Sequence, residues 1–171
     1  MGDNLARILM ILGGGFTDAE ASLKILLERK GHNVRVAGKS RSPEKSREGN
    51  PVTPDIALYE VNPDYYEFVV IVGDEIKDVT RPDIITTVRK CAFDKKGAAG
   101  INNGPVLLAF SGVLNGKRAT VGDPERYSKF LKNSGAHYVN EDTVVDGKII
   151  TAMHPEAAED NARRIIEVLN A

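Results

Sequence analysis

The chain has 171 residues, 42% of them hydrophobic and 27% charged, which suits one globular domain over residues 1–171 with a sizeable buried core. A formal net charge of −1 gives no bulk electrostatic hold on nucleic acid or an anionic membrane, so neither is expected as a partner. One cysteine excludes an internal disulfide and, with no secretory segment visible, points to the cytoplasm.

Met1-Gly2 opens like an acylation signal, but Ala6 stands where Ser or Thr is required. Strand-like and helix-like patterns then alternate, which predicts an α/β fold with a parallel sheet covered on both faces. Residues 7–12 are a continuous apolar strand, far short of the ~18 apolar residues of a membrane span. Gly13-Gly14-Gly15 follows; as a dinucleotide loop it lacks the further glycine, because Asp18 stands there. Residues 17–30 read as a helix with Ala19, Leu23, Leu26 and Leu27 at helical spacing, opened by the capping-box pattern Thr17-Asp18-Ala19-Glu20.

Residues 33–37 and 68–73 are further strands, with an exposed, cation-bearing loop over residues 39–50 between them. Thr80 to Phe93 reads as a helix with Thr80 as N-cap and Pro82 in its first turn. Later come a short strand at residues 118–121, a helix over 124–133, a hairpin turning at Asp146-Gly147 and a last helix over 156–170.

The most informative stretch is Gly100-Ile101-Asn102-Asn103-Gly104-Pro105. Small residues from Gly97 to Gly100 lead in, as where a buried strand meets a close-packed turn, and Pro105 suits the first turn of a helix running through Phe110. A strand that turns sharply into a helix lifts one side chain above the sheet and points free N–H groups at whatever binds there. The lifted position is Asn102, and an amide cannot ionise to a nucleophile. Asn also tolerates positive φ, so Asn102 serves equally as a turn residue.

This stretch resembles the I-C-H-G-P elbow of the DJ-1/PfpI superfamily, which includes peptidases, deglycases, glyoxalases, isonitrile hydratases and redox-linked chaperones. Other segments resemble the family in the same order: Phe16 to Glu20, Gly31 to Ala37, Val61 to Phe68, Ser111 to Thr120 and Val144 to Gly147. The resemblance implies a three-layer, flavodoxin-like sandwich and a homodimer or higher oligomer. It also implies that the family's Cys falls on Asn102, its His on Asn103, its P-G-G loop on Val72-Gly73-Asp74, and its late Ser-Arg on Ala152-Met153. Glu20 matches the carboxylate that touches the thiol in relatives, and Asp78 an acidic residue that in some of them reaches a neighbouring subunit.

Two functions follow as expectations. One is a small-molecule-binding, sensing or stress-related module that has lost cysteine-dependent hydrolysis. The other is a non-covalent hydratase, isomerase, glyoxalase-like lyase or residual hydrolase. There Glu20 would be general acid or base, and the Asn102 amide with the N–H groups of Asn103 and Asp74 would hold an oxyanion. Glu20 is expected to lie within hydrogen-bond or one-water reach of Asn102 beside a small pocket near Gly73 and Asp74, with Asn103, Gly104 and His154 also lining the ligand. Cys91 is expected to be a packing residue, and His32, His137 and His154 are too scattered for a metal site; no cofactor is expected.

Overall fold

The computed structural model describes residues 5–171, so Met1-Gly2 lies outside the described residues. The strands are β1 (Arg7–Leu12), β2 (Asn33–Gly38), β3 (Glu44–Lys45), β4 (Pro51–Val52), β5 (Ile56–Ala57), β6 (Phe68–Val72), β7 (Gly97–Ile101), β8 (Arg118–Ala119), β9 (His137–Tyr138), β10 (Thr143–Asp146) and β11 (Ile149–Ala152). The helices are α1 (Asp18–Ala21), α2 (Leu23–Glu28), α3 (Pro82–Asp94), α4 (Gly104–Phe110), α5 (Pro124–Asn133) and α6 (Ala158–Leu169).

Seven strands form one sheet in the order β10-β11-β7-β6-β1-β2-β5, parallel except for β10 against β11. Helices cover both faces, which is why β1 and β6 are nearly unbroken apolar runs. Side chains alternate across the sheet. Leu9 and Ile11 of β1 pack with Ile84 and Val88 of α3, Leu107 of α4 and Leu131 of α5. Ile8, Met10 and Leu12 pack on the other face with Leu23 and Leu27 of α2 and Ile165 of α6. The α/β three-layer sandwich is the architecture expected.

Local departures have local causes. The helix expected over 17–30 is interrupted at Ser22, whose Oγ donates to Ala19 O at 2.6 Å and competes with the main-chain ladder for that carbonyl. Thr80 does not cap α3. Its hydroxyl donates instead to Ile76 O in a preceding 3₁₀ turn, and Arg81 takes the N-cap position without a side-chain bond. The strand expected over 68–73 stops at Val72, because Gly73 swings to φ +116°. The strand expected over 118–121 keeps only two residues, and the last helix starts at Ala158. Within the loop expected over 39–50, Glu44 and Lys45 pair with Pro51 and Val52 as a small antiparallel ribbon.

Candidate functional site at the elbow

The small residues of β7 have a packing reason. A Cβ on Gly100 would lie 2.5 Å from Pro105 N, and one on Gly104 would lie 2.2 Å from Ile71 O. Only glycine lets α4 start this close to the ends of β6 and β7. The chain turns between them at Asn102, whose φ of +62° makes it the one non-glycine residue with positive φ among the described residues. The turn is tied on both sides: Asn102 N–H donates to Ala152 O at 2.9 Å, and Asn102 O accepts from Gly122 N–H at 2.6 Å. Asn102 therefore stands at a strained strand-to-helix turn, with Pro105 in the first turn of α4.

Across from the elbow lies the segment after β6. It is zipped to the triple glycine after β1: Gly13 N–H donates to Val72 O at 2.8 Å, Gly14 N–H to Glu75 O at 3.0 Å, and Asp74 N–H to Gly14 O at 2.9 Å. A Cβ on Gly73 would lie 2.7 Å from the carbonyl of Gly13. Gly13-Gly14-Gly15 thus serves close backbone approach rather than a phosphate.

Glu20 is fully buried and makes the expected capping box, its Oε1 accepting from Thr17 N–H at 2.9 Å while Thr17 Oγ1 accepts from Glu20 N–H at 3.1 Å. Its other oxygen accepts from Gly73 N–H at 2.7 Å. Burial pushes its carboxyl above the ordinary range, opposed by the bonds from Thr17 and Gly73 and by the nearby Arg47 charge.

Of the two arrangements expected, a direct bond between Glu20 and Asn102 is not made. The Asn102 amide, 7% exposed, donates from Nδ2 to Asp74 Oδ1 at 2.6 Å. Glu20 and Asn102 are instead held by adjacent residues of one loop, because the carboxylate of Asp74 sits nearer the amide and is the stronger acceptor. The backbone donors expected to hold an oxyanion are also engaged: Asp74 N–H faces Gly14 O, and Asn103 N–H donates to Gly73 O at 3.1 Å. Asn103 bridges the loops on either side, its Nδ2 donating to Asp74 O at 3.0 Å and its Oδ1 accepting from Asp123 N–H at 3.1 Å.

One residue at the site is not legible in the sequence. Arg47, in the exposed loop, pairs with Asp74 Oδ2. Its backbone is held independently, with Arg47 N–H donating to Phe16 O at 2.7 Å. Ser46 and Asn50 flank it and donate to the carboxylate of Asp18, at 2.5 and 2.6 Å. No periodicity or turn signal marks a solvated arginine that closes a contact across 27 residues of chain.

The remaining candidates lie elsewhere. His154 bonds Asp142 Oδ1 at 2.9 Å and approaches Glu156 at 3.5 Å on the surface, so its ring is engaged with acids rather than with the elbow. Cys91 is buried, its Sγ 3.5 Å from Tyr66 O, and burial pushes its thiol up to about 12. Asp78 is exposed and pairs with Lys39 at 3.1 Å. Among the described residues no group of three metal-binding side chains comes together, and no helix is long and apolar enough to cross a membrane.

The DJ-1/PfpI family model matches residues 6–168. A deglycase from Thermococcus kodakarensis is 30% identical over 152 residues, covering 87% of this chain and 90% of that protein. An uncharacterized protein from Methanocaldococcus jannaschii is 33% identical over 160 residues, covering 90% of this chain and 77% of its own length. In architecture, a ThiJ/PfpI domain protein from Brachyspira murdochii superposes with a TM-score of 0.84 at 24% identity, covering 96% of both chains.

Proposed function

This chain belongs to the DJ-1/PfpI family, and we propose that within it the protein is a small-molecule-binding or sensing module that has lost cysteine-dependent hydrolysis. The observation that carries this reading is the elbow side chain itself. Asn102 occupies the strained turn where a nucleophile would be presented, and its amide is bonded to Asp74. An amide offers no electron pair that a base could free for attack. Loss of a nucleophile can cost ~10⁶ in kcat, so covalent turnover is not expected to survive it.

Two further features argue against the non-covalent alternative. Glu20 is sealed from solvent and engaged with Thr17 and Gly73, so it lacks the open approach a general acid needs. The N–H groups of Asp74 and Asn103 already serve carbonyls of the chain, so an oxyanion would have to displace Gly14 O and Gly73 O. The binding role is assigned to the loop ends around Asn102: Gly73, Asp74, Asn103 and Gly104. The free cysteine supports a reducing, cytoplasmic setting.

The test is turnover. Because one relative is a deglycase, methylglyoxal-type substrates and peptides should be assayed with the wild type and with Cys91→Ala. Both proteins are expected to remain at background. Robust turnover abolished by Cys91→Ala would overturn the reading, since it would mean that a thiol pushed up to about 12 nevertheless reacts.

The module is proposed to be a homodimer or larger ring, as family membership suggests and as the exposed Asp78 permits. Sedimentation at micromolar concentration is expected to give at least a dimer. A monomer there would remove the assembly proposal and leave the binding role standing.

A further inference from the structure

The elbow holds two donors that converge on one carboxylate. Asn102 Nδ2 donates to Asp74 Oδ1 at 2.6 Å, and the Arg47 guanidinium pairs with Oδ2 of the same group. A planar O–C–O bracketed by an amide and a guanidinium is a recognition geometry for carboxylates in general, whichever molecule supplies them. We propose that Asp74 is an internal occupant of a carboxylate-binding slot, displaced when a small carboxylic acid binds between Arg47 and Asn102. This rests on the reading of the site as a binding module and names the class of its ligand.

The main chains of both donor residues are held without help from the Asp74 carboxylate. Arg47 is anchored through its own N–H to Phe16 O, and the turn around it through Ser46 and Asn50 to Asp18. Asn102 is fixed by main-chain bonds to Ala152 and Gly122. Its Oδ1 lies against Gly122, where a Cβ would come within 2.1 Å, which leaves Nδ2 to face the slot. The slot is floored by bare backbone: a Cβ on Gly15 would lie 3.2 Å from both Asp74 Cβ and Oδ2.

Displacement requires only a side-chain rotation, since the main chain of Asp74 stays tied to Gly14 and Asn103. The mouth is open on one side, the Asp74 side chain being 33% exposed and that of Arg47 53% exposed. An ion pair so accessible to water is weak and readily exchanged. The internal carboxylate still competes, because a tethered group acts at an effective concentration of roughly millimolar or above. The apparent affinity for a free acid is lowered by the fraction of molecules in which Asp74 fills the slot.

The experiment is calorimetric titration with sodium acetate against sodium chloride at equal ionic strength, with acetamide as the uncharged isostere. Asp74→Ala is expected to bind acetate about tenfold or more tightly than the wild type. It should ignore acetamide, and lose the effect when Arg47→Gln is added. Should Asp74→Ala fail to fold by circular dichroism, Asp74→Ser empties the same slot and carries the same comparison. Equal acetate affinity in wild type and variant, equal binding of acetamide, or indifference to Arg47→Gln would each overturn the slot. Turnover measured on the same samples keeps the two conclusions apart. Turnover alone would sink the binding-module reading, and an absent acetate effect without turnover would sink the slot alone.

Discussion

Gly73→Ala is expected to lower the unfolding free energy by about 2–6 kcal/mol, a large share of the stability of a protein this size. Two costs add. The residue sits at φ +116°, which L side chains rarely adopt, and its Cβ would fall 2.7 Å from the Gly13 carbonyl, a backbone atom that cannot rotate away. Gly116→Ala separates them. Gly116 also has positive φ, +76°, but nothing lies within 4 Å of its Cβ, so only conformational strain of about 1–2 kcal/mol applies. Urea unfolding of the two variants beside the wild type gives the comparison. If Gly73→Ala costs no more than Gly116→Ala, the close approach of the two loops is not what demands glycine. The same loops carry the Glu20 bond and Asp74, so their packing links stability to the site.

Much of the fold was legible because it is written in short, local signals. The apolar runs of β1 and β6 reflect burial on both faces, and Gly97 to Gly100 announced a strand pressed against a turn. Asn102 at a strand-to-helix turn followed from Pro105 and the small residues before it. The site was less legible, because its contacts are long-range and polar. Nothing in the run from Lys39 to Asn50 says that Arg47 will meet Asp74 and that Asp18 will gather Ser46 and Asn50. Glu20 is legible as a cap, and its link to the elbow runs through Gly73, next to the Asp74 that bonds Asn102. A sequence match shows that the residues occupy one site, but the nearest acceptor is decided by side-chain reach. The oxyanion donors failed for a related reason: a free N–H at a turn is available only until another loop's carbonyl approaches, and here the triple glycine brings Gly14 O to Asp74.

Glu20→Gln is expected to destabilise the protein by about 1–3 kcal/mol. The carboxyl group accepts from Thr17 N–H and Gly73 N–H through different oxygens. A glutamine has one acceptor oxygen, so its NH₂ must face one of those N–H donors, leaving a buried donor opposed by another. The pH dependence gives a sharper test. Burial raises the Glu20 carboxyl above its ordinary value of 4.5 in the folded protein, so between the two values the native state holds a proton that the unfolded chain has released. The stability this group contributes is fully present below the unfolded value and is lost as pH rises through the folded one. Glutamine does not titrate. The stability difference between wild type and Glu20→Gln should therefore be greatest at the acidic end and shrink as pH climbs through the folded value. Chemical unfolding of both proteins from pH 4 upward reads it directly. A difference that grows with pH would mean that the donors of Thr17 and Gly73, with Arg47, outweigh burial and hold the anion. In that case the loop bearing Asp74 would be gripped more firmly at neutral pH than in acid. In the expected case the folded protein holds the Glu20 proton to a higher pH than the unfolded chain does, while the bond from Gly73 N–H survives the change, since both forms of the carboxyl carry an acceptor oxygen.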